Sequence, residues 1–216
     1  MAIGIGIEQA RIDRETIKEH LFHQGNPTHE GSSTPEEIVY LADLAIRESA
    51  NLIGEVGFNA GISSHTFLKS RPDAQVVSFD IGTHPYVHDA KDYIDSKFPG
   101  RHTLILGDSR QTVPEYFAAN PDTRFDLMFI DGGHDYEVAF ADILNLQALS
   151  SPKAAVVMDD LTPWRSWGVG PTRAWRQALE RGIITQEELV QDGRRVEHAT
   201  PPAERVWALG RYVIAL

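Results

Sequence analysis

Phe125-Asp-Leu-Met-Phe-Ile-Asp-Gly-Gly-His-Asp-Tyr136 decides the reading of this chain. Its first half is an apolar run bounded by turn residues. Such a run reads as a strand buried on both faces, the kind that builds parallel sheets. Its second half carries a carboxylate, Asp131, two glycines and an imidazole, His134. In an open α/β sheet, ligands collect beyond the carboxyl ends of the strands, which is where Asp131 and His134 fall. A second apolar run, Ala154-Ala-Val-Val-Met158, leads straight into Asp159-Asp160. If the two strands are neighbours, three carboxylates and one imidazole meet at one rim.

Outward from this stretch, strand and helix patterns alternate. Leu52 to Val56, Gln75 to Phe79 and His102 to Leu106 read as strands. Ser63 to Ser70, Val87 to Lys97, Val113 to Ala119 and Glu137 to Leu149 read as helices. Pro171 to Arg181 is a further helix, with Pro171 in its first turn and Gly182 as its stop. Apolar stretches near Arg195 to His198 and Val206 to Ile214 are expected to close the chain as an antiparallel hairpin. The expected fold is α/β: a single Rossmann-like, doubly wound, mostly parallel sheet with helices on both faces and that hairpin at its C-terminal end.

The first part of the chain is less regular. A short helix over Arg14 to Phe22 is expected, capped by Asp13. Gln24 to Ser33 is dense in turn formers, so residues 1–33 read as an arm or a lid and residues 34–216 as the domain. Thr34-Pro-Glu-Glu37 opens the domain as a helix start: Thr34 caps, Pro35 suits the first turn and Glu37 completes a capping box.

Bulk composition narrows the classes of partner. A length of 216 residues suits one large α/β domain. A formal net charge of −11 argues against nucleic acid or an anionic membrane surface as partner and leaves a small molecule. There are no cysteines, which excludes thiolate ligands and a cysteine nucleophile. No apolar run approaches the roughly 20 residues of a membrane-spanning helix. The start, Met1 to Glu8, lacks the basic head of a secretory signal, so a cytoplasmic protein is expected.

Glu55-Val-Gly-Phe-Asn-Ala-Gly61 follows the first strand and opens a helix at Ser63. Gly57 and Gly61 allow a tight turn and a close backbone approach to a ligand. The N–H groups of the following helix favour an anionic group. An acidic residue ending the next strand, Asp80, suits ribose hydroxyls. Neither the dinucleotide fingerprint nor a phosphate-loop lysine motif is present here. The pattern Glu55-x-Gly57-x-Asn59-x-Gly61 instead resembles motif I of the class I S-adenosylmethionine-dependent methyltransferases. The resemblance implies that Glu55, Gly57, Asn59, Gly61 and Ser63 shape the methionine end of a cofactor site and that Asp80 binds the ribose. It also implies that Asp108 and Ser109 lie at the adenine; for Asp131, support of the cofactor or capping of the next helix is the alternative to a ligand role. The structural alternative for Asp80 and Asp108 is simple helix capping.

Hard oxygen ligands such as Asp131, Asp159 and Asp160 suit Mg²⁺ or another divalent cation. Their layout is similar to that of the catechol and caffeoyl-CoA type O-methyltransferases and of the metal-dependent O-methyltransferases that modify antibiotic sugars. Catechol-type enzymes carry asparagine at the third position; Asp160 stands nearer to the sugar-modifying pattern. His134 occupies the place of the catechol-type catalytic lysine, where sugar-modifying relatives use histidine. The resemblance thus implies Mg²⁺-dependent transfer of a methyl group to a hydroxyl, with His134 as general base. The acceptor is left open between a phenol or catechol and a sugar, including natural-product tailoring. Similar small methyltransferases make a homodimer a further expectation.

Leu161 to Gly170 follows the acidic pair and offers Trp164, Arg165 and Trp167 as a substrate wall. The alternative is that both tryptophans pack the loop onto the core, the expected place of Trp175 and Trp207. Two further functions compete with the leading one. The first is a metal-independent N- or carboxyl methyltransferase, in which Asp159 and Asp160 are a solvated turn. The second is a non-enzymatic nucleotide-binding module on the same fold.

Overall fold

Parallel pairing of apolar runs organises both halves of the chain in this computed structural model, which describes residues 2–26 and 33–213. The chain divides into two compact units, residues 1–107 and 108–216. The first holds helices α1 (Ile7–His23), α2 (Pro35–Arg47), α3 (Ile62–Ser70) and α4 (Tyr86–Lys97), and strands β1 (Leu52–Val56), β2 (Gln75–Asp80) and β3 (His102–Leu106). Its strands run in the order β3-β2-β1, all parallel, with Ile53 opposite Val76 and Val76 opposite His102. Ile53, Val56, Val76 and Phe79 are buried, as the two-sided burial of a parallel strand requires.

The N-terminal helix is longer than expected and docked. Asp13 is not its cap: the helix begins at Ile7, and Asp13 lies inside it, paired with Lys69 of α3 at 2.6 Å. Ala10, Ile17 and Leu21 are buried where α1 packs on α2, α3 and α4. The expected lid segment includes residues 27–32, which lie outside the described residues. Thr34 caps α2 as read, accepting from the N–H of Glu37 at 3.3 Å, with Pro35 in the first turn.

The second unit holds α5 (Ser109–Ala119), α6 (Tyr136–Gln147) and α7 (Val169–Glu180), and a 3-10 turn at Ser166–Gly168. Its strands are β4 (Phe125–Ile130), β5 (Ser150–Met158), β6 (Ile184–Gln191), β7 (Arg194–Arg195) and β8 (Val206–Tyr212). The strand order is β4-β5-β8-β6-β7. β4 and β5 are parallel, Ile130 opposite Met158; β8 is antiparallel to β5, with Ala208 opposite Met158. The closing antiparallel pair exists, but the partner of Val206–Tyr212 is β6, while the expected strand near Arg195 shrinks to the two residues of β7. β6 was hidden by its sequence, Ile-Thr-Gln-Glu-Glu-Leu-Val-Gln. Thr185, Gln186 and Glu187 are exposed in a row, and a bulge between Gln186 and Glu188 breaks the alternation. Gly210 of β8 permits its close pairing: a Cβ there would lie 2.5 Å from Ile184 Cγ2 and 2.7 Å from the Thr185 carbonyl. Trp175 and Trp207 are core, as expected. Among the described residues no helix is long and apolar enough to cross a membrane.

Candidate active site

The parallel register of β4 and β5 carries on for one residue past the end of β5. The Asp159 N–H donates to the Ile130 carbonyl at 3.0 Å, which sets the segment after β4 beside the Asp159-Asp160 pair. Asp160 then adopts φ +59°, a left-handed conformation that non-glycine residues seldom take. This turn ties down the next residues: the Thr162 N–H donates to the Asp160 carbonyl and the Leu161 N–H to the Val206 carbonyl, both at 2.8 Å. The result is a narrow cleft lined by Asp131, Gly132, Gly133, His134, Asp159, Asp160 and Pro171.

Within it, donor atoms of Asp131, His134 and Asp160 all lie within 4.8 Å of one another. An octahedral ion with bonds of about 2.1 Å sets its ligand atoms about 3–4 Å apart, so small side-chain adjustments let these three groups share one hard cation. The donor chemistry fits as well, two carboxylates and an imidazole. This group of donors does not include Asp159, the third carboxylate expected. Asp159, buried at 1% exposure, turns its Oδ2 toward Arg205 Nη1 at 3.2 Å, while the same Nη1 donates to Asp160 Oδ1 at 2.8 Å.

His134 is held from one side. Its Nε2 lies 2.9 Å from Asp160 Oδ2, and this hydrogen bond raises its pKa above that of an ordinary imidazole, against partial burial. The loop that carries it is pressed on by α7. A Cβ on Gly170 would fall well inside contact distance of the His134 carbonyl oxygen and 2.7 Å from the Tyr136 nitrogen. Gly133 is equally confined, its virtual Cβ 2.8 Å from Val138 Cγ1.

The loop after the acidic pair divides between wall and packing. Trp167 is 43% exposed, and the Arg165 guanidinium lies over its ring at 5.2 Å. Arg165 also donates to the Ala203 carbonyl at 3.3 Å. Trp164 is half-buried. Trp167 and Arg165 thus retain the exposure a substrate wall needs, and Trp164 less of it.

In the first unit, Gly57 (φ +95°), Asn59 (φ +49°) and Gly61 (φ +74°) make the sharp turn between β1 and α3. A side chain at Gly61 would strike the Phe58 ring at 2.9 Å. Asp80 organises this loop: its Oδ2 accepts from the N–H groups of Phe58 and Asn59, both at 2.9 Å, and its Oδ1 from Gly82 N–H at 2.8 Å. A carboxylate has about four acceptor sites, so one is left for a hydroxyl.

Glu55 and Ser63 hydrogen-bond to each other. Glu55 is fully buried and accepts from the hydroxyls of Ser63, Ser64 and Ser78, the last two at 2.5 Å. Burial pushes its pKa up to about 7 despite these hydrogen bonds. Both side chains therefore brace the loop from below. His102 completes the cluster, with Nε2 2.9 Å from Ser78 Oγ, and burial lowers it to about 4.

At the start of the second unit, Asp108 caps α5, accepting from Arg110 N–H at 3.0 Å and pairing with the Arg110 side chain. Those contacts hold its pKa below the usual carboxylate range. Ser109 is nearly buried at the first position of the helix. Behind it sits Asp142, raised to about 6 by burial, with the Ser109 hydroxyl pulling it back.

Arg205 is the site residue that sequence reading missed. A signal for it existed: a basic residue directly before the last apolar strand. Its meaning depended on that strand lying beside β5.

Comparison with known proteins places this architecture. Residues 55–161 match a family model described as a methyltransferase domain. No match was found among curated proteins. Among solved structures, the chain is similar to an O-methyltransferase from Bacillus cereus in complex with SAH, at 16% identity and TM-score 0.71, covering 93% of this chain and 90% of that one. It is similar to the O-methyltransferase TomG from Streptomyces achromogenes, involved in tomaymycin synthesis and bound to SAM, at 17% identity and TM-score 0.70, covering 93% and 89%. It is also similar to CalS11, a TDP-rhamnose 3'-O-methyltransferase of calicheamicin biosynthesis, at 22% identity and TM-score 0.62, covering 97% and 96%. At these identities the likeness is one of fold.

Proposed function

We propose, from the premise that residues 55–161 form a methyltransferase domain, that this chain transfers a methyl group from S-adenosylmethionine to a hydroxyl of a small molecule, with a divalent cation at Asp131 and Asp160 and His134 beside it as the base. The observation that carries the reading is the meeting of those three side chains within 4.8 Å at the ends of β4 and β5. When bound, S-adenosylmethionine supplies an electrophilic methyl, and a Mg²⁺-type ion makes a nearby hydroxyl more acidic.

The chain's own residues do the rest. Asp131 and Asp160 orient the acceptor end of the site. Asp160 accepts from His134 Nε2 and leaves Nδ1 as the basic nitrogen, which would take the proton of the acceptor hydroxyl. Asp80, with one acceptor site to spare, suits a ribose hydroxyl, and Asp108 with Ser109 suits the adenine. Trp167 and Arg165 offer a flat face and a fixed cation to the acceptor, in keeping with either a phenolic ring or an anionic sugar derivative.

One observation favours a metal-free variant of the same transfer. Arg205 already brings a positive charge to Asp159 and Asp160. A methyl-transfer assay over a panel of catechols, phenols and nucleotide sugars tests both readings. Loss of turnover in EDTA and its return with Mg²⁺ supports the metal-dependent reading; indifference to EDTA supports the other. The absence of any S-adenosylmethionine binding would overturn both.

A further inference from the structure

Arg205 is placed with unusual firmness for a long cationic side chain. Its backbone N–H and that of Glu204 both donate to Asp192 Oδ1 at 2.9 Å, and its carbonyl accepts from Asp192 N–H at 3.0 Å. The next residue, Val206, accepts from Leu161, directly after the acidic pair. Its side chain is only 16% exposed, and Nη1 reaches both Asp159 Oδ2 and Asp160 Oδ1. A guanidinium stays charged in proteins and cannot leave by losing a proton.

Arg205 sets one fixed positive charge against two of the three clustered carboxylates, Asp159 and Asp160. Asp159 serves the arginine, whereas Asp160 is shared between the arginine and the group of Asp131 and His134.

We propose that Arg205 is the resident cation of this acidic cluster: it claims Asp159 as its counter-ion, shares Asp160, and thereby sets how tightly the cluster holds a divalent metal. The proposal rests on the metal-dependent reading above and adds a positioning residue to it. Removing the guanidinium frees carboxylate charge for the ion, so affinity rises. Removing Asp159 along with it returns the cluster to its original charge. Charge pairs at these distances, partly withdrawn from water, are weakly screened, so the effect is large enough to measure.

Calorimetric titration of the purified full chain with MnCl₂, at fixed pH and ionic strength, tests this without an activity assay. Arg205→Met is expected to bind Mn²⁺ at least about tenfold more tightly than the unaltered chain, and Arg205→Lys within about threefold of it. The Arg205→Met/Asp159→Asn pair is expected to return to within about threefold of the unaltered chain. This double variant removes the Asp159 charge together with its partner, while Asp160 keeps His134, so it serves if Arg205→Met alone does not fold. Equal or weaker binding by folded Arg205→Met overturns the proposal while leaving the metal site intact. A loss of more than tenfold in the double variant also overturns it, since Asp159 would then be a ligand. If neither the unaltered chain nor Arg205→Met binds Mn²⁺ at millimolar concentration, the metal-dependent reading falls with it.

Discussion

His134 Nε2 meets Asp160 Oδ2 at 2.9 Å, and Asp160 makes that contact from a left-handed backbone at φ +59°. The turn sends one carboxylate oxygen to the imidazole and the other to Arg205. Asp160 is therefore the hinge of the site: it orients the proposed base, contributes to the proposed ion site and carries the arginine.

The hydrogen bond from His134 to Asp160 raises the imidazole pKa, with the Asp160 charge in support. In an NMR titration of the protein kept free of metal, His134 is expected to titrate above 6.5, the ordinary value, and to fall back toward it in Asp160→Asn. A His134 resonance unmoved by that substitution would remove Asp160 as its partner.

Loss of the base itself should be costly. His134→Ala is expected to lower kcat by about 10²–10⁴, the range for general-base catalysis, with cofactor affinity changed by no more than a few-fold. Steady-state kinetics beside calorimetry with S-adenosylmethionine check both parts. An unchanged kcat would assign the proton to another group.

Gly170 is the most confined position near the site. The added methyl of Gly170→Ala must displace the His134-to-Tyr136 backbone, because α7 presses on that loop. Overpacking of this kind costs about 1–3 kcal/mol. The variant is expected to melt several degrees lower and to lose turnover more than its stability loss explains. Wild-type melting and rate together would show that the loop is looser than described.

Glu55 links pH to stability. Its folded pKa of about 7 stands above the 4.5 of an ordinary glutamate, so the native state binds the proton more tightly than the unfolded one. The stabilisation from that proton is complete below about 4.5 and is lost as pH rises through about 7. At 1.36 kcal/mol per unit, the amount is on the order of 3 kcal/mol. Glu55→Gln keeps the shape and cannot ionise. Thermal melts from pH 5 to pH 8 are expected to show the unaltered chain losing ground to this variant as pH rises. Parallel pH profiles for the two would place the buried charge elsewhere.

Much of the architecture was legible because parallel strands announce themselves. Phe125–Ile130 and Leu52–Val56 are apolar runs ending in carboxylates or glycines, and both are strands with those boundaries. Ile184–Gln191 was not legible, since an exposed, bulged strand loses the alternation that marks it. Asp13 looked like a cap because capping residues are read from local order alone. Its actual partner, Lys69, is distant in sequence.

The chemistry divides along the same line. Local order determined that Asp131, His134, Asp159 and Asp160 stand at the ends of two strands, and that Glu55 to Gly61 forms a glycine turn before a helix. Those features depend on strand period and on the backbone freedom of glycine, both properties of neighbouring residues. Tertiary structure decided which carboxylate serves which partner. Pairing of β8 antiparallel to β5 delivers Arg205 to Asp159 and Asp160, and the left-handed turn at Asp160 hands its other oxygen to His134. Contacts between segments so far apart in the chain follow from register between strands, and register is settled only when the whole sheet packs.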